Sequence, residues 1–329
     1  MRLLVQPADN GGCGFYRIRV PAKTLAFYKM VETVTEAMYY LPQGQLEEIK
    51  PDRIFVQRQT ELATAAEILR YKKAGMTVIQ DLDDLLWQAP LTNMYRFYFK
   101  GPQKKALFTG LKACDFLVAS TVPLQEEMIS WTRREVRLLP NLISGQFFRD
   151  PLPRTSDKLR VGWAGSSSHK SDLEILRSVI LETYKRFQWV FLAYAPDFVR
   201  PLIEAGHVEV YGPTKVEDYL PALVNMNLDV AVAPLELNRF NECKSNLKSI
   251  EFSCLGVPII TSDIYPYKDN PNYKIPGRSK DWKKWIDALE SYEDESLRMQ
   301  HALKAREFAD GFRLETASNV EIIRKAWLD

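Results

Sequence analysis

Short runs rich in Val, Ile, Leu and Phe alternate along the chain with stretches in which apolar residues recur every three or four positions. The first pattern predicts strands and the second amphipathic helices. In the front half the strands fall at residues 2–6, 52–57, 76–80, 116–119 and 136–139, with helices at 21–30 and 61–74. In the back half strands are expected at 159–163, 189–193, 208–211, 229–233 and 257–261. The helices expected between them are 171–187, 216–224 and 246–254, and the last 50 residues carry a helical pattern almost throughout. Strands that alternate with helices indicate βαβ units and parallel sheets. The turn-rich stretch from Asp150 to Asp157 reads as a linker between two such units. Two doubly wound domains in tandem place a ligand crevice at the C-terminal ends of their strands.

Length and composition agree with this organisation. A chain of 329 residues exceeds what one core usually holds. With 46% hydrophobic and 26% charged residues it is neither disordered nor fibrous. No apolar run is long enough for a membrane span, and the N-terminus lacks the pattern of a signal peptide. Four Cys without a CxxC pair make no disulfide framework, so a soluble protein of the reducing cytoplasm is expected. The net charge of +2 argues against binding nucleic acid by bulk charge. It conceals a split, however: residues 1–155 carry a net of +5 and the remainder a net of −3.

Five polar motifs follow strands. Asn10-Gly11-Gly12-Cys13-Gly14, before Tyr16 and Arg17, permits close backbone approach to an anion, or is a plain flexible turn. It is not a dinucleotide fingerprint. Gly165-Ser166-Ser167-Ser168-His169-Lys170 precedes a helix start that Ser171 or Asp172 would cap, which suits a phosphate cradle with His169 as a ligand contact or a structural His. Glu242-Cys243-Lys244-Ser245-Asn246-Leu247-Lys248 opens a helix that Ser245 can cap and that continues to Glu251. A Lys one turn into a helix suits a diphosphate, and a Glu one turn deeper suits a vicinal diol. The alternative is a surface pair at i,i+3. Asp81, Asp83 and Asp84 end the strand at 76–80 and offer a metal site, a helix cap, or a base or acceptor contact. Finally, Tyr95-Arg96-Phe97-Tyr98-Phe99-Lys100 with Lys104, Lys105 and Lys112 fits nucleic-acid stacking, or an amphipathic helix with a solvated Lys face. Nucleophile elbow, Walker A, HExxH and zinc spacings are absent from the sequence.

With these motifs in view, the chain resembles the retaining GT-B glycosyltransferases of family four, the "glycosyl transferases group 1" type, over most of its length. The specific matches are Glu251 followed by Gly256-Val257-Pro258-Ile259-Ile260, the run FNECKSNLKSIE, the run GWAGSSSHKSDL, and Pro140-Asn141-Leu142-Ile143. The opening QPADNGGCGFYR is similar to bacteriophage-encoded members, some of which glycosylate hydroxymethylated pyrimidines in DNA. One departure stands out. The family's first Glu falls at Cys243, leaving Glu242 as the nearest carboxylate.

The resemblance implies an α/β GT-B fold with two Rossmann-like domains facing a cleft. Residues 1–155 would bind acceptor, 156–310 would bind donor, and 311–329 would return as a helix to the N-terminal domain. It implies transfer of a hexosyl or pentosyl group from a nucleoside-diphosphate sugar, UDP favoured, without metal or other cofactor. Motifs and resemblance together assign Lys248, His169, Asp84 and Glu242 to catalysis. They assign Gly12, Gly14, Arg17, Gly165, Ser166, Lys170, Lys244, Ser245, Asn246 and Glu251 to the donor, and Tyr16, Asp81, Asp83, Arg96 and Lys100 to the acceptor. The partners expected are a nucleotide sugar and modified double-stranded DNA. The alternatives are a transferase for surface polysaccharide or lipid-linked glycan, and an inactive nucleotide-sugar or DNA-binding module.

Overall fold

Leu3, Leu4 and Val5 are all buried in the first strand, β1 (Arg2–Gln6), because its sheet is covered on both faces. The computed structural model describes residues 1–38, 40–59, 62–91, 93, 96 and 101–329. The chain continues through β2 (Thr33–Glu36), β3 (Arg53–Gln57), β4 (Thr77–Leu82), β5 (Phe116–Ala119) and β6 (Val136–Leu138). These pair in the order β2-β1-β3-β4-β5-β6, every pair parallel. A second parallel sheet comprises β7 (Arg160–Ala164), β8 (Gln188–Leu192), β9 (Val208–Tyr211), β10 (Val230–Ala233), β11 (Ile259–Ser262) and β12 (Lys274–Ile275). Its order is β12-β11-β10-β7-β8-β9. Both domains are therefore doubly wound, with strand order reversing between β1 and β3 in the first and between β7 and β10 in the second.

Alternation along β1 shows how the layers divide. Leu4 packs with Ile54, Val56, Ile68 and Leu107 under the helices Leu62–Lys73 and Pro102–Ala113. Leu3 and Val5 face the opposite layer, with Leu25, Ile323 and Trp327. That layer contains the C-terminal helix Ala317–Leu328, capped by Thr316, whose Trp327 stacks on Phe55 with centroids 3.9 Å apart. The chain thus returns to the first domain, and where the two crossings lie side by side Leu314 N–H donates to the Ile143 carbonyl and Ile143 N–H to the Phe312 carbonyl.

Several elements depart from the sequence pattern for identifiable reasons. The helix expected at 171–187 is interrupted: a helical turn at Lys170–Leu173, a 3-10 turn at Glu174–Leu176, then a helix at Arg177–Thr183. The helix expected at 21–30 is Val20–Phe27, preceded without a break by a π segment at Phe15–Arg19. Pro21 has no N–H for the carbonyl four residues earlier, which favours a widened turn just ahead of it. The strand β2 was not expected, because TVTE is half exposed at the sheet edge and has no apolar run. Of the aromatic and basic motif, Tyr95, Phe97, Tyr98, Phe99 and Lys100 lie outside the described residues. Downstream, Pro102–Ala113 is an amphipathic helix, with Leu107 and Leu111 buried and Lys105 and Lys112 exposed. No helix among the described residues is long and apolar enough to cross a membrane.

Candidate active site

Loops leaving the C-terminal ends of both sheets converge on one cleft of about 410 Å3. From the first domain come Gly11, Gly12, Cys13, Tyr16 and Arg17 after β1, Arg58 after β3, and Asp83 and Asp84 after β4. The second contributes Gly165, Ser166, Ser168 and His169 after β7, Thr214, Val216 and Tyr219 beyond β9, and Lys244, Ser245, Lys248 and Glu251 beyond β10. The cleft sits at the strand-order reversal of each sheet, with the two reversals facing each other.

The second domain supplies its cationic wall. The helix Leu247–Cys254 begins at the cleft, and its first amides have no partners within the helix. Lys248, in its first turn, donates to the Ala164 carbonyl and lies 4.8 Å from the centroid of the Trp163 ring. Burial lowers its pKa to about 8, against the pull of Glu251. No carboxylate among the described residues forms an ion pair with it, so its charge is available to a ligand. Gly165 is required where it stands, since a Cβ there would meet Lys248 Nζ at 2.6 Å and the Trp163 ring at 2.8 Å.

Glu251 is 3% exposed, and burial raises its pKa to about 7. Its Oε1 accepts from the Tyr16 hydroxyl at 3.0 Å, across the domain boundary. His169 gives Nδ1 to Asp172 at 2.8 Å, and burial, reinforced by Lys244 and Lys248, lowers its pKa to about 4. On the facing wall Arg58, a non-glycine residue at φ 48, binds Asp83 and places NH2 2.6 Å from Asp84. Lys244 reaches Asp84 from the other domain at 3.4 Å. Asn141 to Ser245 at 3.0 Å and Thr121 to the Cys243 carbonyl at 2.7 Å further join the walls. Hydrogen bonds and an ion pair thus join the two walls of the cleft.

Solved structures with the same architecture include the Anabaena protein Alr3699/HepE in complex with UDP-glucose. It has a TM-score of 0.71 and 14% identity, over 99% of this chain and 98% of that one. Sucrose-phosphate synthase from Thermosynechococcus elongatus gives 0.69 and 13%, over 99% and 98%. The lipopolysaccharide outer core galactosyltransferase WaaB in its apo form gives 0.60 and 14%, over 99% of both chains. No family model and no curated protein matches the chain. The fold is GT-B.

Within this GT-B cleft the structure brings together Gly12, Tyr16, Arg17, Asp83, Asp84, Gly165, Ser166, His169, Lys244, Ser245, Lys248 and Glu251. Other expected site residues lie elsewhere. Lys170 is exposed and pairs with Asp197 at 2.6 Å. Glu242 pairs with Arg239 at 3.1 Å and does not line the cleft, so it does not stand in for a carboxylate at Cys243. Cys243 itself is fully buried, packed with Phe240 against Leu86 and Trp87 of the first domain. Gly14 is a packing residue, because a Cβ there would come within 2.1 Å of the Asp9 carbonyl. Asp81 lies beneath the floor, bound to Arg17 at 2.7 Å, and Arg17 also donates to Leu139 O and Asn141 Oδ1. Arg96 donates to the Ala89 carbonyl at 3.2 Å and is off the cleft wall.

The expected caps also differ. Asn246 occupies the N-cap position of the Leu247–Cys254 helix without a side-chain bond, while the Ser245 hydroxyl accepts from Asn141. His169, not Ser171 or Asp172, precedes the turn at Lys170–Leu173. In the glycine loop the amides of Gly11 and Gly14 are taken by Asp9 Oδ1, at 2.9 and 3.0 Å. Asp83 and Asp84 cap no helix, since both are engaged by Arg58.

Sequence reasoning missed Arg58, Asn141, Tyr219 and Tyr267. Arg58 immediately follows a predicted strand, so the rule that located the other motifs also points to it. Tyr219 falls in a helical pattern, where a ring reads as core.

Proposed function

We propose that the chain is a glycosyltransferase that uses a nucleoside-diphosphate sugar, UDP-linked by preference, and transfers the sugar to an acceptor hydroxyl with retention. The observation that carries this reading is the half-buried Lys248 ammonium, unpaired with any described carboxylate, at a helix N-terminus and one turn from Glu251. An anion bridging Lys248, Lys244 and the first amides of that helix would have its charge matched at close range. Glu251 Oε2, which carries no hydrogen bond from a described residue, is placed to accept from a ribose diol. Solved proteins with this fold include complexes with UDP-glucose, which supports the choice of base.

Catalysis in this scheme is electrostatic. Charge that develops on the departing diphosphate is stabilised by Lys248, Lys244 and backbone amides already in position. The departing phosphate takes the acceptor proton on the same face, so no strong side-chain base is needed, and no metal is called for where two ammonium groups face the diphosphate. Closure through Tyr16–Glu251 and Asn141–Ser245 excludes water that would otherwise hydrolyse the donor. On the facing wall, Asp83 and Asp84 offer acceptor oxygens to a hydroxyl, and Arg58 holds them in place. The similarity to bacteriophage-encoded members makes hydroxymethylated pyrimidine in DNA the first acceptor to test, in the cytoplasm where nucleotide sugars are made.

The test is calorimetry with a panel of nucleoside diphosphates and their sugars, followed by mass analysis of hydroxymethylated DNA and of glycans incubated with each donor. Binding of a nucleotide sugar with mass gain on one acceptor is the expected result. Binding without transfer or donor hydrolysis would leave a nucleotide-sugar-binding module, and no binding to any donor would overturn the reading.

A further inference from the structure

Asp172 is 3% exposed and has three partners on two segments. Its Oδ1 accepts from the Glu236 amide at 2.9 Å and from Asn241 Nδ2 at 3.0 Å, while Oδ2 meets His169 Nδ1 at 2.8 Å. We propose that Asp172 is a positioning residue that fixes His169 as the Nδ1–H tautomer, presenting Nε2 to the cleft as a hydrogen-bond acceptor for a sugar hydroxyl of the donor. The ligand assignment rests on the nucleotide-sugar reading, whereas the tautomer assignment does not.

The geometry leaves little choice. An ionised carboxylate only accepts, so the nitrogen facing it must carry the proton, and a neutral imidazole then has its lone pair on the other nitrogen. His169 stays neutral because burial, the largest influence, disfavours its charged form. The Asp172 hydrogen bond on its own turn pulls the other way, as does the charge of Asp84 on the first domain, while Lys244 and Lys248 add to the effect of burial. The Trp163 ring, centroid 5.9 Å away, borders the imidazole and restricts its rotation. His169 therefore serves as a fixed acceptor across the neutral range rather than as an acid. A sugar hydroxyl, which must donate somewhere once out of water, is the chemical group this nitrogen fits. Asp172 also ties that orientation to the segment 236–241, which leads into the Phe240 and Cys243 contact with the first domain.

Asp172→Asn tests this with a determined outcome. The oxygen of the new amide must stay where Oδ1 was, because Glu236 N–H and Asn241 Nδ2 both donate there. Its NH2 then faces His169 and donates to Nδ1, which forces the proton to Nε2. Long-range proton–nitrogen spectra of histidine-labelled protein, assigned with His169→Asn, should show Nδ1–H in the wild type and Nε2–H in Asp172→Asn. UDP affinity should stay within about threefold, while UDP-glucose affinity falls by about tenfold or more, the scale of one reversed buried hydrogen bond. A wild-type Nε2–H tautomer overturns the proposal, as does an inverted tautomer with undiminished UDP-glucose binding.

If Asp172→Asn does not fold, the wild-type spectrum and His169→Asn, which leaves the Asp172 bonds to Glu236 and Asn241 in place, decide the matter. Unchanged selectivity for UDP-glucose over UDP in His169→Asn rejects the role given to Nε2. Wild-type protein that binds neither nucleotide defeats the glycosyltransferase reading and the ligand assigned here, while the Nδ1–H signal still reports on Asp172.

Discussion

The affinity of the cleft for a nucleotide sugar should pass through a narrow maximum near pH 7–8, set by two groups one helical turn apart. In the proposed function Lys248 must be charged to hold the diphosphate, and its pKa is drawn down to about 8 by burial. In the same proposal Glu251 must be ionised to accept two ribose hydroxyls, and its pKa is pushed up to about 7 by the same cause. At pH 9 about one-tenth of the free protein carries the Lys248 charge, which weakens binding by roughly tenfold, or about 1.4 kcal/mol. At pH 6 about one-tenth of Glu251 is ionised, and the acid limb falls by a similar factor. Neither limb continues indefinitely, since losing one charge-assisted contact costs about 1.5–3 kcal/mol in total. His169, lowered to about 4, and Tyr16 and Cys13, raised by burial, keep one protonation state across this window. UDP-glucose is the ligand to use, because the terminal phosphate of free UDP itself titrates near neutrality, at a pKa of about 6. Titration calorimetry from pH 5.5 to 10 gives the profile. Lys248→Arg, whose guanidinium does not deprotonate in this range, should remove the alkaline limb and keep the acid one. A flat wild-type profile from pH 7 to 9.5, or an alkaline limb that survives in Lys248→Arg, would refute the reasoning.

Glu251→Gln should raise the melting temperature at pH 8 but not at pH 4.5. The folded pKa lies above the ordinary 4.5, so the buried carboxyl stabilises only while protonated and costs up to about 3 kcal/mol above pH 7. Thermal melts at both pH values check the sign, and a lower melting temperature at pH 8 would contradict it. Lys170→Ala should leave UDP-glucose affinity unchanged, because that side chain pairs with Asp197 on the surface. Gly165→Ala should lower affinity by about tenfold or more by driving a methyl group into Lys248 and Trp163. Trp327→Ala, which empties the stack on Phe55, should cost about 3–5 kcal/mol in chemical denaturation without altering the cleft chemistry.

The parts of this molecule that sequence made legible are those whose cause is local. Runs such as RIFVQ and VAVA become strands because their own side chains demand burial, and Lys248 and Glu251 share a face because helical spacing puts them there. What stayed hidden depends on residues far apart in the chain. Asp172 reads as a helix cap until Asn241, 69 positions later, is seen to donate to it. Arg58 follows a predicted strand, but its partners Asp83 and Asp84 stand 25 and 26 positions later and only the fold brings them to it.

Cys243 shows why spacing alone misleads at such places. Counting back from Glu251 marks position 243 for a carboxylate. The helix Arg239–Glu242 instead inserts Phe240 and Cys243 against Leu86 and Trp87 of the other domain, in a site with no exposure. An ionised Glu there would lose its hydration, at a cost of several kcal/mol, beside an Arg239 already paired with Glu127 and Glu242, so burial favours a small apolar group. The same insertion brings Lys244 to Asp84 and holds Ser245 against Asn141. The Cys243 contact is thus part of what joins the two domains, and Lys244 and Lys248 bring positive charge to the cleft just beyond it.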